Sequence, residues 1–293
     1  MSLISGSVRF IRRASATPRA TVIIPSRDGH RAGNVGRLIE DIERQTLEDF
    51  ELLLVIGVSP NGRARNVGAE QARGHYLIFI DDDVRLGHQR VLEQLVDALQ
   101  RYPEFGLVGP SQQIPTDSTW LQLRMAEQLP RTRFPVVEAY TESDMVSHLC
   151  LALRREVWDE VGGESDTLIR GTDPDLRLRV RQAGYRVVVV PRTWAYHPMP
   201  GSLRELLRAW FSAGAGSAEV FLNSPDLVID APDSFQETAS FQRPFRRRII
   251  DASRRVLKAA VCAQEIRLLC QCAYGLGYVI HVLNRKAASA ATR

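Results

Sequence analysis

Three aspartates in succession, Asp81-Asp82-Asp83, follow directly on the apolar run Tyr-Leu-Ile-Phe-Ile at 76–80. Adjacent carboxylates repel one another, so a fold that gathers them needs a cation to offset the cost. Hard oxygen ligands suit Mg2+ or Mn2+, metals that commonly share their coordination with substrate phosphates. A single aspartate in such a place reads as a solvated turn capping the next helix. Three after a buried strand favour a cation site. Two other phosphate chemistries are excluded. GxxxxGK[ST] occurs nowhere, and Pro25-Ser26-Arg27-Asp28-Gly29 stands where GxGxxG would follow a first strand.

The elements that must position these acids alternate along the chain. Short apolar runs at 20–25, 51–56, 76–80 and 105–108 read as strands buried on both faces. Between them, 34–45, 63–72 and 89–100 carry helical spacing, with Val35, Leu38, Ile39 and Ile42 on one side of the first. The order predicts an α/β fold, a mostly parallel sheet with helices on both faces, and ligands off the carboxyl ends of its strands. The pattern loosens after Pro110, then resumes with strands at 148–153 and 186–190 and helices at 155–161 and 174–183. Arg177, Arg179 and Arg181 alternate along the last of these helices and are expected mostly to face solvent, one of them steering phosphate. A helix is predicted over 203–220, with Leu203, Leu206, Leu207 and Trp210 on one side, and a boundary near Gly201.

The motifs occur in a recognisable order. Arg65-Asn66-Val67-Gly68-Ala69, Ala72-Arg73-Gly74 and YLIFIDDD resemble the ARNxG…AxGxxLxFxDxD signature of family 2 glycosyltransferases of the GT-A fold. Ala-Thr-Val-Ile-Ile-Pro-Ser-Arg-Asp at 20–28 is similar to that family's first strand and nucleotide-contacting turn. Gly162-Gly163, Asp173-Pro174-Asp175-Leu176, Arg179, Gly184-Tyr185, Pro191 and His197 follow its downstream pattern, so the resemblance covers about residues 20–200. It implies a divalent-metal-dependent, inverting transfer from a nucleoside-diphosphate sugar to an acceptor hydroxyl, and the absence of a processive synthase's QxxRW favours the transfer of a single sugar. Pro25, Ser26, Arg27, Arg65, Asp81 and Asp82 would bind the donor, Asp83 and His197 the Mg2+ or Mn2+, and Asp173 would be the general base. Read without the resemblance, Asp173 is a helix N-cap before Pro174, and His197 a surface or core residue. The chain departs from the family pattern in two places. Ile56-Gly57-Val58-Ser59 carries no acid where a VDDGS-like pair is common, and Thr172 replaces a glutamate. Two alternatives stay open: a non-catalytic GT-A-like binding protein, and a sugar nucleotidyltransferase.

At 293 residues the chain can bury a full core, and a net charge of +4 does not call for nucleic acid. Cys150, Cys262, Cys270 and Cys272 have no zinc spacing, which favours a reduced, cytoplasmic setting. The N-terminal arginines precede no apolar h-region, so no secretory signal is expected. No unbroken apolar run reaches ~18 residues, the nearest being 268–283 with Gln271 and His281 inside it, which argues against a spanning helix. The catalytic region is placed at 19–200 and a helical, basic region at 201–293. There Phe241, Phe245, Ile249, Ile250, Val256 and Leu257 interleave with Arg243, Arg246, Arg247, Arg248, Arg254, Arg255 and Lys258. That pattern suits either an anionic membrane surface, at the inner face of the membrane, or packing on the catalytic region or a second copy of the chain. The expected partners are a nucleotide-sugar donor and a glycan, lipid-linked or small-molecule acceptor, with no nucleic acid.

Overall fold

The computed structural model describes residues 6–225, 235 and 244–291. They form one nine-stranded mixed sheet. The strands and helices that build it are β1 Ser7–Arg12, β2 Ala20–Ser26, α1 Asn34–Glu43, β3 Phe50–Ile56, α2 Asn61–Gln71, β4 Tyr76–Ile80, β5 Arg85–Leu86, α3 Val91–Arg101 and β6 Phe105–Gln113. After them come α4 Trp120–Gln128, β7 Thr141–Glu142, β8 Cys150–Arg154, α5 Arg155–Glu160, α6 Thr172–Gln182 and β9 Arg186–Tyr196. Among the described residues three helices follow, α7 Leu203–Asn223, α8 Phe245–Val261 and α9 Glu265–Ala291.

The apolar runs form strands because both faces of the sheet are covered. Alternate residues of one strand point to opposite faces. Val22, Ile24, Leu52, Leu54, Ile78 and Ile80 accordingly pack with Leu38 and Ile42 of α1 and Leu95 and Leu99 of α3. Ile23, Leu53, Leu77 and Phe79 pack on the other side with Ala64 of α2, Val157 and Trp158 of α5, and Leu176 and Val180 of α6.

Strand direction decides where the functional residues gather. β2 pairs in parallel with both β3 and β4, and β6 in parallel with β9, while β8 lies antiparallel between β4 and β6. The carboxyl ends of β2, β4, β6 and β9 therefore share one edge with the amino end of β8. β1 and α4 have no counterpart in the sequence reading. β1 pairs antiparallel with β3, and α4 opens with a capping box between Thr119 and Gln122.

The last two helices described differ in their attachment. α9 runs alongside α7 in the same direction, as the contacts Phe211–Gly277, Glu219–His281 and Asn223–Arg285 progress together. Two glycines permit the approach: a Cβ on Gly214 would lie 1.9 Å from the Tyr274 carbonyl oxygen, and one on Gly277 would lie 2.1 Å from that of Phe211. Met125, Leu129, Met199, Leu206, Ile266 and Cys270 join this pair to α4, with Leu203, Leu207 and Trp210 around them as the sequence spacing predicts. α8 buries only Ala259 among its described side chains. Phe241 and Arg243 and the side chain of Phe245 lie outside the described residues. Residues 265–287 are long and apolar enough to cross a membrane by length and composition, with a mean hydropathy of 1.4. The unbroken-run criterion misses this stretch because Gln271 and His281 interrupt it.

Replacing Gly277 by Leu should separate α9 from α7 while leaving the sheet intact, since the overpacked contact lies outside both main cores. Limited proteolysis should then cut within 265–291 faster than in the unchanged chain, with the main unfolding transition unmoved. Equal cutting rates would mean that the close approach is not what holds α9.

Candidate active site

The shared edge brings together Ser26 from β2, the acidic triplet after β4, His148 before β8 and His197 after β9. Each acid of the triplet has a different partner. Asp81 Oδ1 accepts from Arg65 Nη2 at 2.8 Å, and its backbone N–H donates to the His148 carbonyl at 3.1 Å. Ser26 Oγ donates to Asp82 Oδ2 at 2.6 Å, and Asn34 Nδ2 donates to the Asp82 carbonyl at 2.8 Å, pinning the turn. Arg31 Nη2 donates to Asp83 Oδ2 at 2.6 Å, while His197 Nε2 lies 3.4 Å from Asp83 Oδ1.

These environments separate the acidities. Burial raises the pKa of Asp81, and Arg65 offsets this only in part. Burial likewise raises Asp82 against the Ser26 hydrogen bond and the Arg31 charge. For Asp83 burial acts in the same sense, but His197 and Arg31 outweigh it and bring the group down to about 2. The triplet is thus not three equivalent carboxylates; Asp83 is the one held ionised most firmly.

Asp173 stands opposite, in the first turn of α6. Thr172 opens that helix, so Asp173 is not its N-cap, and no side chain caps it. Its Oδ1 instead accepts from the His148 backbone N–H at 2.8 Å and contacts the His148 ring Nδ1 at 2.6 Å. No hydrogen bond or ion pair reaches Oδ2 from the described residues, and the side chain stays 36% exposed. Although burial opposes it, the charges of His148, Arg177 and Arg65 hold this carboxyl far below the usual range. His148 Nε2 in turn contacts Glu164 Oε1, and Arg65 Nη1 donates to Glu164 Oε2 at 3.2 Å. The result is an alternation of sign, Asp81–Arg65–Glu164–His148–Asp173, with Arg65 only 3% and His148 only 2% exposed.

Of the residues expected at the donor end, Ser26, Arg65, Asp81 and Asp82 share this network. Pro25 is buried in β2, and Arg27 is exposed on the adjoining turn with no partner among the described residues. Four neighbours were not anticipated: Arg31, Asn34, His148 and Glu164. Glu164 directly follows Gly162-Gly163, the one sequence signal that could have led to it. The expectation of a mostly solvated arginine row on α6 is corrected. Arg177 is 1% exposed and donates to the Val146 carbonyl at 2.6 Å, Arg179 pairs with Asp175, and Arg181 pairs with Asp144. Hydrophobic residues cover α6 on the sheet side only, but the helix is also wrapped by the 144–146 and 161–163 segments, whose carbonyls and carboxylates receive these guanidinium groups.

Among the described residues no set of three or more His, Cys, Asp or Glu forms a metal cage. The fit of a divalent ion rests on Asp83 and His197, whose facing atoms lie as close as two ligands of one ion, and on Arg31. Its guanidinium already supplies a positive charge at Asp83 from a side chain 53% exposed. Two protein ligands completed by phosphate oxygens suit Mg2+ or Mn2+. The residues present fit the group.

The family model described as glycosyltransferase like family 2 matches residues 7–211. The O-antigen biosynthesis protein RfbC of Myxococcus xanthus is 27% identical over 64% of this chain and 18% of its own length. Glycosyltransferase AglE of Haloferax volcanii is 26% identical over 62% of this chain and 60% of its own length. The chain thus spans less than two thirds of these relatives. A mannosyltransferase of Pyrobaculum calidifontis, solved with GDP-Man and Mn2+, superposes with a TM-score of 0.55 at 14% identity, over 94% of this chain and 91% of that one. At that identity the likeness is one of fold, and it agrees with the GT-A architecture.

Burial and Arg65 both press the His148 pKa down, yet Glu164 and Asp173 outweigh them and carry it from 6.5 to about 9. A raised pKa means that protonation of this ring stabilises the folded state fully below 6.5, and that the contribution is lost as pH rises through about 9. Melting temperatures recorded across that window should fall, and His148→Asn should flatten the fall. An unaltered slope in the variant would assign the titration to another group.

Proposed function

The chain belongs to the glycosyltransferase-like family 2, and from that membership we propose that it transfers a single sugar from a nucleoside-diphosphate sugar to an acceptor hydroxyl with inversion. The observation that carries the reading is the pairing of an acidic triplet with a separately held carboxylate, Asp173, at one sheet edge. Ser26, Asp82 and the exposed Arg27 form the nucleotide side of the crevice, and Asp81, oriented by Arg65, meets the ribose or sugar. Asp83 and His197 would hold a Mg2+ or Mn2+ ion, whose charge would offset that developing on the diphosphate. Asp173 accepts the proton of the acceptor hydroxyl through Oδ2. Its depressed pKa keeps it ionised throughout the physiological range, and attack from the side opposite the diphosphate inverts the anomeric centre.

The catalytic region ends near residue 200 in this reading, and the helices beyond it serve an anionic membrane surface. α8 exposes Ile249, Ile250, Val256, Leu257 and Val261, the last at 77%, beside the exposed Arg246, Arg247, Arg254, Arg255 and Lys258. The outward stripe of α9, Leu269, Leu276, Val279, Ile280 and Leu283, is exposed as well. Each fully buried apolar side chain contributes about 1.5–3 kcal/mol and each basic residue near an anionic surface about 1 kcal/mol. An interfacial position is favoured over a spanning one, because the inner side of α9 carries the His281–Glu219 and Arg285–Asn223 contacts to α7.

Two measurements follow. A panel of nucleotide sugars with Mn2+ should raise the melting temperature, and Asp173→Asn should keep that shift while lowering transfer by roughly 100-fold to 10,000-fold. A variant that transfers at the original rate would remove Asp173 as the base. In vesicle flotation, the full chain should float with phosphatidylglycerol-containing vesicles and not with pure phosphatidylcholine, and Ile250→Asp with Leu257→Asp should abolish it. Flotation that ignores either the lipid charge or the substitutions would sink the membrane assignment.

A further inference from the structure

A carboxylate in the first turn of a helix can rotate about two side-chain bonds, and a base that rotates is presented to the acceptor only part of the time. Asp173 is not left in that condition. Both of its side-chain hydrogen bonds with the described residues fall on the same oxygen and come from the same residue, the backbone N–H of His148 at 2.8 Å and its ring Nδ1 at 2.6 Å. A two-point grip fixes Oδ1 and leaves Oδ2 without a hydrogen bond or ion pair from the described residues.

The gripping residue is itself immobilised. His148 is 2% exposed, its ring meets Phe79 edge-on with centroids 6.4 Å apart, and its Nε2 contacts Glu164. Glu164 is 1% exposed on its side chain, receives Arg65 Nη1 at 3.2 Å, and has its own backbone tied at both ends of the peptide by Asn66, at 2.9 and 2.7 Å. Arg65 then reaches Asp81 at 2.8 Å. The circuit closes through the main chain, because the His148 carbonyl accepts the Asp81 backbone N–H at 3.1 Å. One residue is therefore bonded to the acid on the donor side and to the acid on the acceptor side.

We propose that His148, its ring oriented by Glu164, is the positioning residue that sets the Asp173 carboxylate relative to the donor-side Asp81. The inference rests on the proposed transfer reaction and adds to it a residue that touches neither substrate. His148 donates from Nδ1 and holds its proton throughout the transfer; the acceptor proton goes to Asp173 Oδ2.

Two substitutions divide the ring's contacts. In His148→Asn the side-chain amide nitrogen falls near the place of Nδ1, so the grip on Asp173 is kept and the contact with Glu164 is lost. In His148→Gln the amide nitrogen falls near Nε2, so Glu164 keeps its partner and Asp173 loses the ring contact. His148→Gln should lower kcat by roughly 100-fold with donor Kd held within about twofold, because a misplaced base impairs the transition state and not donor binding. His148→Asn should be about tenfold less impaired than His148→Gln. A purely structural histidine would instead give two variants whose kcat losses follow their losses of melting temperature, and that result overturns the proposal. So does a His148→Gln enzyme with kcat within about twofold of the original. If the unchanged chain transfers no sugar, the reaction reading fails, and the geometry is decided separately by proton NMR of the 15N-histidine-labelled protein. A strongly deshielded Nδ1 proton that disappears in Asp173→Asn and persists in Glu164→Gln supports the grip; its absence, or its persistence in Asp173→Asn, refutes it.

Discussion

Crowding of negative charge at one sheet edge is the constraint on which the rest of this structure depends. Asp81, Asp82, Asp83, Glu164 and Asp173 are all drawn into the same region, and carboxylates at such separations cannot all ionise without compensation. Compensation comes from cations placed between them. Arg65 sits between Asp81 and Glu164, His148 between Glu164 and Asp173, and Arg31 with His197 at Asp83. Removing one partner of a buried pair costs about 3–5 kcal/mol, because the other is left charged and unsolvated. The alternation is consequently cooperative, each member being tolerated because its neighbours are present.

The reversal of β8 is what makes this arrangement geometrically available. Were β8 parallel to β4, its amino end would lie at the far edge and His148 with it. Running antiparallel, it pairs Cys150 with Ile80, so that His148 emerges beside Asp81. The same reversal sends the chain to the far edge at Arg154. There Arg155 caps the carbonyls of Ala69, Ala72 and Gly74, and α5 begins the return that delivers Glu164. Sheet topology and charge pairing are in this sense one design.

Much of the framework was legible from residue pattern alone. β4 was placed at its observed limits because five apolar residues between Gly74 and an acidic turn admit no other reading, and β2 and β3 were placed within one residue. β1 was missed since its alternation is carried by half-buried side chains between arginines at an edge, where neither face is fully covered. α4 was missed although Thr119 and Gln122 carry a capping-box spacing, because the prolines on either side dominated the pattern. The acids were legible through their order; their partners were not. Nothing local distinguishes His148 from a surface histidine or Arg177 from an arginine on a solvated helix face. Their burial is decided by segments distant in sequence, 164 and 173 for the one and 144–146 for the other.

The turn that carries Arg31 holds Arg31 at φ 43 and Ala32 at φ 52, both left-handed without being glycine. Such residues cost about 1–2 kcal/mol each unless something nearby holds them. Asp28 supports the turn through the Arg31 and His30 amides, but the strongest tether is the guanidinium seated on Asp83. Any incoming cation that claims that carboxylate takes away the tether together with the seat. The strained turn would then depend on the Asp28 bonds to the His30 and Arg31 amides and on the Arg31–Asp82 contact.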